Sequence, residues 1–131
     1  MGRNRSFDET EVVALCAAAF RQNGYEGTSI DDLVQATGLH RGSLYKAFGS
    51  KRGVFFLCLQ QARSTDATGD ETTDLLLVAL LEVAPRDAEI RSLAFDLLGA
   101  STPPRTAQSL GQRLIDRALE PTAIAAPKES A

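Results

Sequence analysis

The chain has no tryptophan, a single histidine and two cysteines among its 131 residues, and its aromatic content is only 6%. Little aromatic bulk suits a helical bundle filled with Leu, Ala and Val. Cys16 and Cys58 are too few and too far apart for a disulfide framework, and a reducing cytosol suits them. Neither has a metal-ligand neighbour, and His40 cannot complete a zinc site with them. One histidine, no cleft-like carboxylate cluster, no nucleophile elbow and no phosphate loop leave little from which to build an active site. The chain is therefore read as a non-enzyme with no cofactor. The longest apolar run, Leu75–Leu81, falls far short of the roughly 20 residues that cross a bilayer. The N-terminus carries no signal-peptide run, so a cytoplasmic protein without a membrane partner is expected. No proline precedes Pro85, which leaves the first half free to form uninterrupted helices. Finally, no Asp or Glu occurs between Asp32 and Asp66.

That last gap stands out because the chain as a whole is acidic, with a formal net charge of −3. Residues 1–53 hold seven Lys/Arg against six Asp/Glu, whereas residues 54–131 hold seven against eleven. Such asymmetry points to a nucleic-acid end and a different, acidic end. Hydrophobic content of 44% supports a genuine core, and the length fits one compact domain or two small ones.

Periodicity predicts helices throughout and no strand. Residues 1–7 read as a short basic arm with Arg3 and Arg5, able to reach a minor groove or simply remain solvated. A first helix is expected over Asp8–Asn23, with Val12, Leu15, Cys16, Ala19 and Phe20 on one apolar face. Asp8, Glu9 and Glu11 complement its dipole, and Gly24 stops it. Thr28-x-x-Asp31 has capping-box spacing for a second helix carrying Ile30, Leu33 and Val34. Gly38 turns the chain into a third helix over His40–Phe48, with Leu44 and Phe48 inward. Ser50 is placed to cap a fourth, carrying Val54, Phe55, Leu57, Cys58 and Leu59.

The acidic, turn-rich stretch 64–73 reads as a loop. Leu75–Val83 reads as a buried helix closed by Pro85; it can form core, a dimer surface or the lining of a small-molecule site. Asp87 is placed to cap a helix with Ile90, Leu93, Ala94, Leu97 and Leu98. After Pro103-Pro104, an amphipathic helix is expected over Ala107–Leu119. The tail 121–131 reads as disordered.

Two short helices, a glycine turn and the basic run Arg41, Lys46, Lys51 and Arg52 are what a helix-turn-helix needs to enter a DNA groove. The third helix is then the recognition helix. Arg41 is the candidate for base readout, since its fork bonds bidentately to guanine, with phosphate contact as the plainer alternative. His40 and Ser43 can reach bases or backbone, with a solvated cap the alternative for His40. Gly42 allows the chain to approach DNA closely. Cys16 reads as plain core, and Cys58 has no partner to make it redox-active.

With these residues in hand, the chain resembles the TetR family of bacterial transcription regulators over roughly residues 8–60. The resemblance lies in Ala18-Ala19-Phe20 with Gly24-Tyr25, Thr28-Ser29-Ile30, Ala36-Thr37-Gly38-Leu39, Gly42-Ser43-Leu44-Tyr45 with Phe48, and Ser50-Lys51. A weaker likeness to one subgroup's regulatory domain covers residues 76–92. The resemblance implies that Thr28, Tyr45, Lys46 and Lys51 grip phosphates; Thr28 and Lys51 at helix N-termini fit that role, and a core tyrosine is the alternative for Tyr45.

The family resemblance also implies an all-α fold: a three-helix DNA-binding domain over 1–53, then a shortened regulatory and dimerisation region over 54–120. The expected protein is a repressor, acting as a homodimer on a palindromic double-stranded operator. A helix pair around 87–119 would supply the interface, and a small-molecule effector would release the DNA. About seventy residues follow the DNA-binding unit, fewer than the family usually has. An alternative is an interaction protein that modulates a larger regulator. Gly49 and Gly53 stand where the family often has proline and a better helix former, which predicts a looser start to the fourth helix.

Overall fold

In the computed structural model, which describes residues 7–65, 69–101 and 103–120, Asp8 opens helix α1 (Glu9–Asn23). Its carboxylate accepts from the N–H groups of Thr10 and Glu11. Helices α2 (Ile30–Thr37), α3 (Arg41–Phe48) and α4 (Lys51–Ser64) follow, then α5 (Asp70–Val78), α6 (Ala88–Leu98) and α7 (Ala107–Leu119). Among the described residues there is no strand. The expected basic arm at Arg3 and Arg5 and the tail 121–131 lie outside the described residues.

The core begins where α1 crosses α4. Phe20 is fully buried and meets the Phe55 ring edge-on at 5.0 Å, while Tyr25 stacks on Phe20 and packs its ring against Phe55. Cys16 and Cys58 belong to the same core. Burial pushes the Cys16 thiol up to about 11 and raises Cys58 well above the ordinary range; the Cys58 thiol donates to the carbonyl of Val13. Leu33 from α2 and Leu44 and Phe48 from α3 close one end. Leu75 and Leu76 of α5, with Ile90, Ala94 and Leu97 of α6, continue the same cluster at the other.

Several local expectations shift. Ser29, not Thr28, caps α2: its hydroxyl accepts from Asp32 N–H while Asp32 accepts from Ser29 N–H. The box is displaced by one residue because the Thr28 side chain turns inward, fully buried, and its hydroxyl donates to the Gly24 carbonyl at 2.7 Å. On α1, Val13 and Ala17 are buried and Leu15 is exposed, so the inward face is rotated from the expected one. The stretch read as a loop over 64–73 is already helical at Asp70; Asp70 and Glu71 occupy the first turn of α5, where acidic side chains suit the dipole.

The start of α4 is tight rather than loose. A Cβ on Gly53 would lie 2.3 Å from the Phe48 carbonyl oxygen, so the missing side chain lets α4 press onto the end of α3. Ser50 caps it, accepting from Gly53 N–H at 2.9 Å. The boundary expected at residue 53 falls inside α4, which runs unbroken to Ser64.

After α5 the chain widens into a π-helical turn, Ala79–Val83, and tightens into a 3-10 turn, Ala84–Arg86, at Pro85. Proline has no N–H with which to continue an α-helix. Asp87 caps α6 as expected, accepting from Ile90 N–H. Helix α7 has the expected bounds, with Thr106 and Ser109 forming a capping box, but it buries no residue fully.

Candidate nucleic-acid interface

Helices α2 and α3 are joined by three residues, Gly38, Leu39 and His40. Gly38 takes the left-handed conformation at φ 76°, where a side chain is unfavourable. Thr37 stiffens the turn: its hydroxyl donates to the Leu33 carbonyl and accepts from Leu39 N–H. Leu44 and Phe48 then anchor α3 from below.

With those two residues inward, the helical period turns Arg41, Gly42, Tyr45 and Lys46 to solvent. Tyr45 is 44% exposed and so is not a core residue. Lys46 makes no ion pair or hydrogen bond among the described residues. Nothing lies within 4 Å of where a Cβ on Gly42 would point, so the fold itself leaves room for a side chain there. His40 occupies the N-cap of α3 without a capping bond and is exposed. Ser43 is half-buried.

The other cations are already engaged. The Lys51 ammonium donates to the carbonyls of Tyr25 at 3.0 Å and Thr28 at 3.1 Å, and sits 4.3 Å from the centre of the Tyr25 ring. It therefore ties the start of α4 to the turn between α1 and α2. Arg52 forms a bidentate pair with Asp87 and a further bond to Glu89. The Arg52 hydrogen bonds hold the Asp87 carboxyl down at about 2, with the Ile90 N–H adding to the effect. Arg41 pairs with Asp31 of α2.

Thr28 departs most from the role the resemblance implies. Its side chain has no solvent-facing surface and its hydroxyl is committed to Gly24, so it shapes the turn before α2 and cannot meet a phosphate as it stands. Ser29, exposed at the N-cap of α2, occupies the outward position instead.

Two residues with no local signal in the sequence fix the unit to the rest of the chain. Glu82, in the π-helical turn, accepts from Glu26 N–H at 2.8 Å, and Arg86 pairs with the Glu26 carboxylate at 2.7 Å. The turn leading into α2 is thus gripped from two sides, by Lys51 and by Glu82 with Arg86. A polar side chain far along the chain carries no mark of such a contact in its own neighbourhood.

Among the described residues no group of three or more His, Cys, Asp or Glu can hold a metal ion, and no helix is long and apolar enough to cross a membrane.

The family model described as "Bacterial regulatory proteins, tetR family" matches residues 12–58. The uncharacterized HTH-type transcriptional regulator YezE of Bacillus subtilis is 46% identical over 55 residues, which are 42% of this chain and 28% of that protein. The HTH-type transcriptional repressors BdcR and ComR of Escherichia coli are 33% identical over 66 residues and 43% identical over 54. Those stretches are 50% and 41% of this chain, but only 34% and 26% of the two repressors. The chain thus matches about a third or less of the length of these relatives. No solved structure matches it significantly.

Proposed function

From the match of residues 12–58 to the tetR family of bacterial regulatory proteins, we propose that the protein is a sequence-reading transcriptional repressor of that family that binds a palindromic operator as a homodimer. The observation that carries this reading is the solvent face of α3. Arg41, Gly42, Tyr45 and Lys46 project from it, while the core is completed without them. A short helix with a basic, uncluttered outer face, standing on an apolar inner one, fits the major groove.

In this reading Arg41 meets a base edge, His40, Ser43 and Gly42 lie against the groove, and Tyr45 and Lys46 meet phosphates. Lys51 keeps one N–H beyond its two carbonyls for a phosphate. A single recognition helix reads few bases, and two-fold pairing doubles the contacts. Apolar side chains left exposed on α6 and α7, Phe95, Leu114, Ile115 and Leu119, support pairing through that helix pair. An open groove of about 550 Å³, lined in part by Leu77, Leu80, Leu81 and Leu114 beside Glu82, supports a small-molecule effector acting next to the Glu82–Glu26 contact.

The test is fluorescence anisotropy of the full chain on DNA from upstream of its own coding sequence, against scrambled DNA, across a salt series. Tight binding to the first duplex alone, weakened by Arg41→Ala, is the expected result. Equal weak binding to both removes the sequence-specific reading and favours a modulator of a larger regulator. Light scattering that finds only monomer at working concentration removes the homodimer.

A further inference from the structure

We propose that Asp31 is a specificity-determining residue: its carboxylate holds the Arg41 guanidinium at the head of the recognition helix, so that Arg41 selects a guanine edge over a phosphate. The inference rests on the reading of α3 as the groove-facing helix.

Asp31 is the second residue of α2 and Arg41 the first of α3, and their side chains form an ion pair across the helix-turn-helix. Three observations set this pair apart. Asp31 has no part in the cap of α2, which Asp32 completes with Ser29, and Arg41 is its sole side-chain partner among the described residues. After Asp32 no carboxylate follows until Asp66, so nothing in α3 or α4 offsets the positive face. Both side chains are also largely exposed, 76% for Asp31 and 51% for Arg41. Exposed pairs contribute little to stability, so the fold itself gives this one little reason to exist.

On DNA the balance changes. Closing the interface removes water and strengthens every charge interaction in it. An unrestrained arginine can bond any phosphate it meets, which binds without discriminating. With one nitrogen of its fork on Asp31, Arg41 loses rotamer freedom while its remaining N–H groups stay available. The Asp31 charge repels an approaching phosphate, but acts much less on the neutral O6 and N7 of guanine. The carboxylate therefore penalises the wrong contact more than the right one, which is how specificity is built by opposition as well as attraction.

The experiment is selection from a randomised duplex pool with the full-length chain, its Arg41→Ala variant and its Asp31→Asn variant. Anisotropy on the selected duplex and on unselected pool DNA follows. Asp31→Asn should raise affinity for pool DNA on the order of fivefold, the effect of one unit charge a few ångströms from phosphate in water. It should also weaken, at the same position, the guanine preference that Arg41→Ala abolishes. Asp31→Glu, which keeps the charge on a longer arm, should leave pool affinity at the wild-type level. Circular dichroism melts identical to wild type exclude misfolding as the cause. An Asp31→Asn protein with unchanged pool affinity and unchanged base preference overturns the proposal. If Arg41→Ala selects the same sequences as wild type, the assignment of Arg41 to base readout fails and takes this proposal with it. If wild type enriches nothing, the DNA-binding reading fails first.

Discussion

Glu82 and Gly24 are matched to each other: one carboxylate oxygen of Glu82 accepts from Glu26 N–H at 2.8 Å, and the other lies 2.7 Å from where a Cβ on Gly24 would stand. The bare glycine makes room for the carboxylate that fastens the π-helical turn to the entrance of α2. Gly24 also sits at φ 80°, where L side chains are strained. Gly24→Ala should therefore destabilise the protein by about 1–3 kcal/mol through strain alone. Urea denaturation checks the size, and a Gly24→Ala variant as stable as wild type would remove the strain argument.

The same contact sets what the Glu82 acceptor contributes to stability. Glu82→Gln keeps an acceptor oxygen for Glu26 N–H and should cost little. Glu82→Ala leaves that N–H to water, with an expected loss of about 0.5–1.5 kcal/mol. Chemical denaturation of both variants measures the difference.

The Arg52–Asp87 pair gives a defined pH signature. The Asp87 carboxyl is held at about 2 against an ordinary 3.8, chiefly by the Arg52 hydrogen bonds. A carboxyl lowered in the folded state stabilises above its unfolded value and loses that contribution as pH falls through the folded one. Asp87→Asn, which can still cap α6, should flatten the stability profile between about pH 4 and about pH 2 relative to wild type. Thermal melts across that window decide it.

Gly42 offers the sharpest separation of fold from function. Open space surrounds its missing Cβ, and it lies inside α3. Gly42→Ala should hold or raise stability, by up to about 1 kcal/mol from helix propensity, while weakening binding to DNA that needs close approach. Wild-type DNA affinity in the Gly42→Ala variant would show that Gly42 is not at the interface.

Lys46, without an intramolecular partner among the described residues, should act through phosphate alone. Lys46→Ala should lower affinity evenly across sequences and reduce the slope of log affinity against log salt by about 0.9. A sequence-dependent loss would instead assign Lys46 to base contact.

The first four helices were legible because their signals are local. Gly24, Gly38 and Ser50 mark boundaries, and the spacing of Leu44 and Phe48 sets which side of α3 faces out. What the sequence hid depends on contacts between distant segments. Thr28 and Ser29 both have cap chemistry, and only the packing that draws Thr28 inward decides between them. Leu15 fits the helical period as well as Val13, but the position of α4 leaves Leu15 outside. The basic run around Arg41 reads as a free positive patch until folding brings Asp87 and Glu89 to Arg52 and backbone carbonyls to Lys51. Local charge counting therefore overstated the cations available to a partner.

Helix α7 buries none of its residues fully, and its attachment is largely ionic: Arg113 bonds Asp74 at 2.7 Å and also reaches Asp70, both on α5. An element held this way opens on its own, without unfolding what it rests on. Its amide hydrogens should exchange with solvent well before those of α1 and α4. Anything that covers Leu114, Ile115 and Leu119 would slow that exchange, so the rate in α7 becomes a direct gauge of its occupancy. Under the homodimer reading the rate falls as protein concentration rises; with a different partner, it falls only when that partner is added.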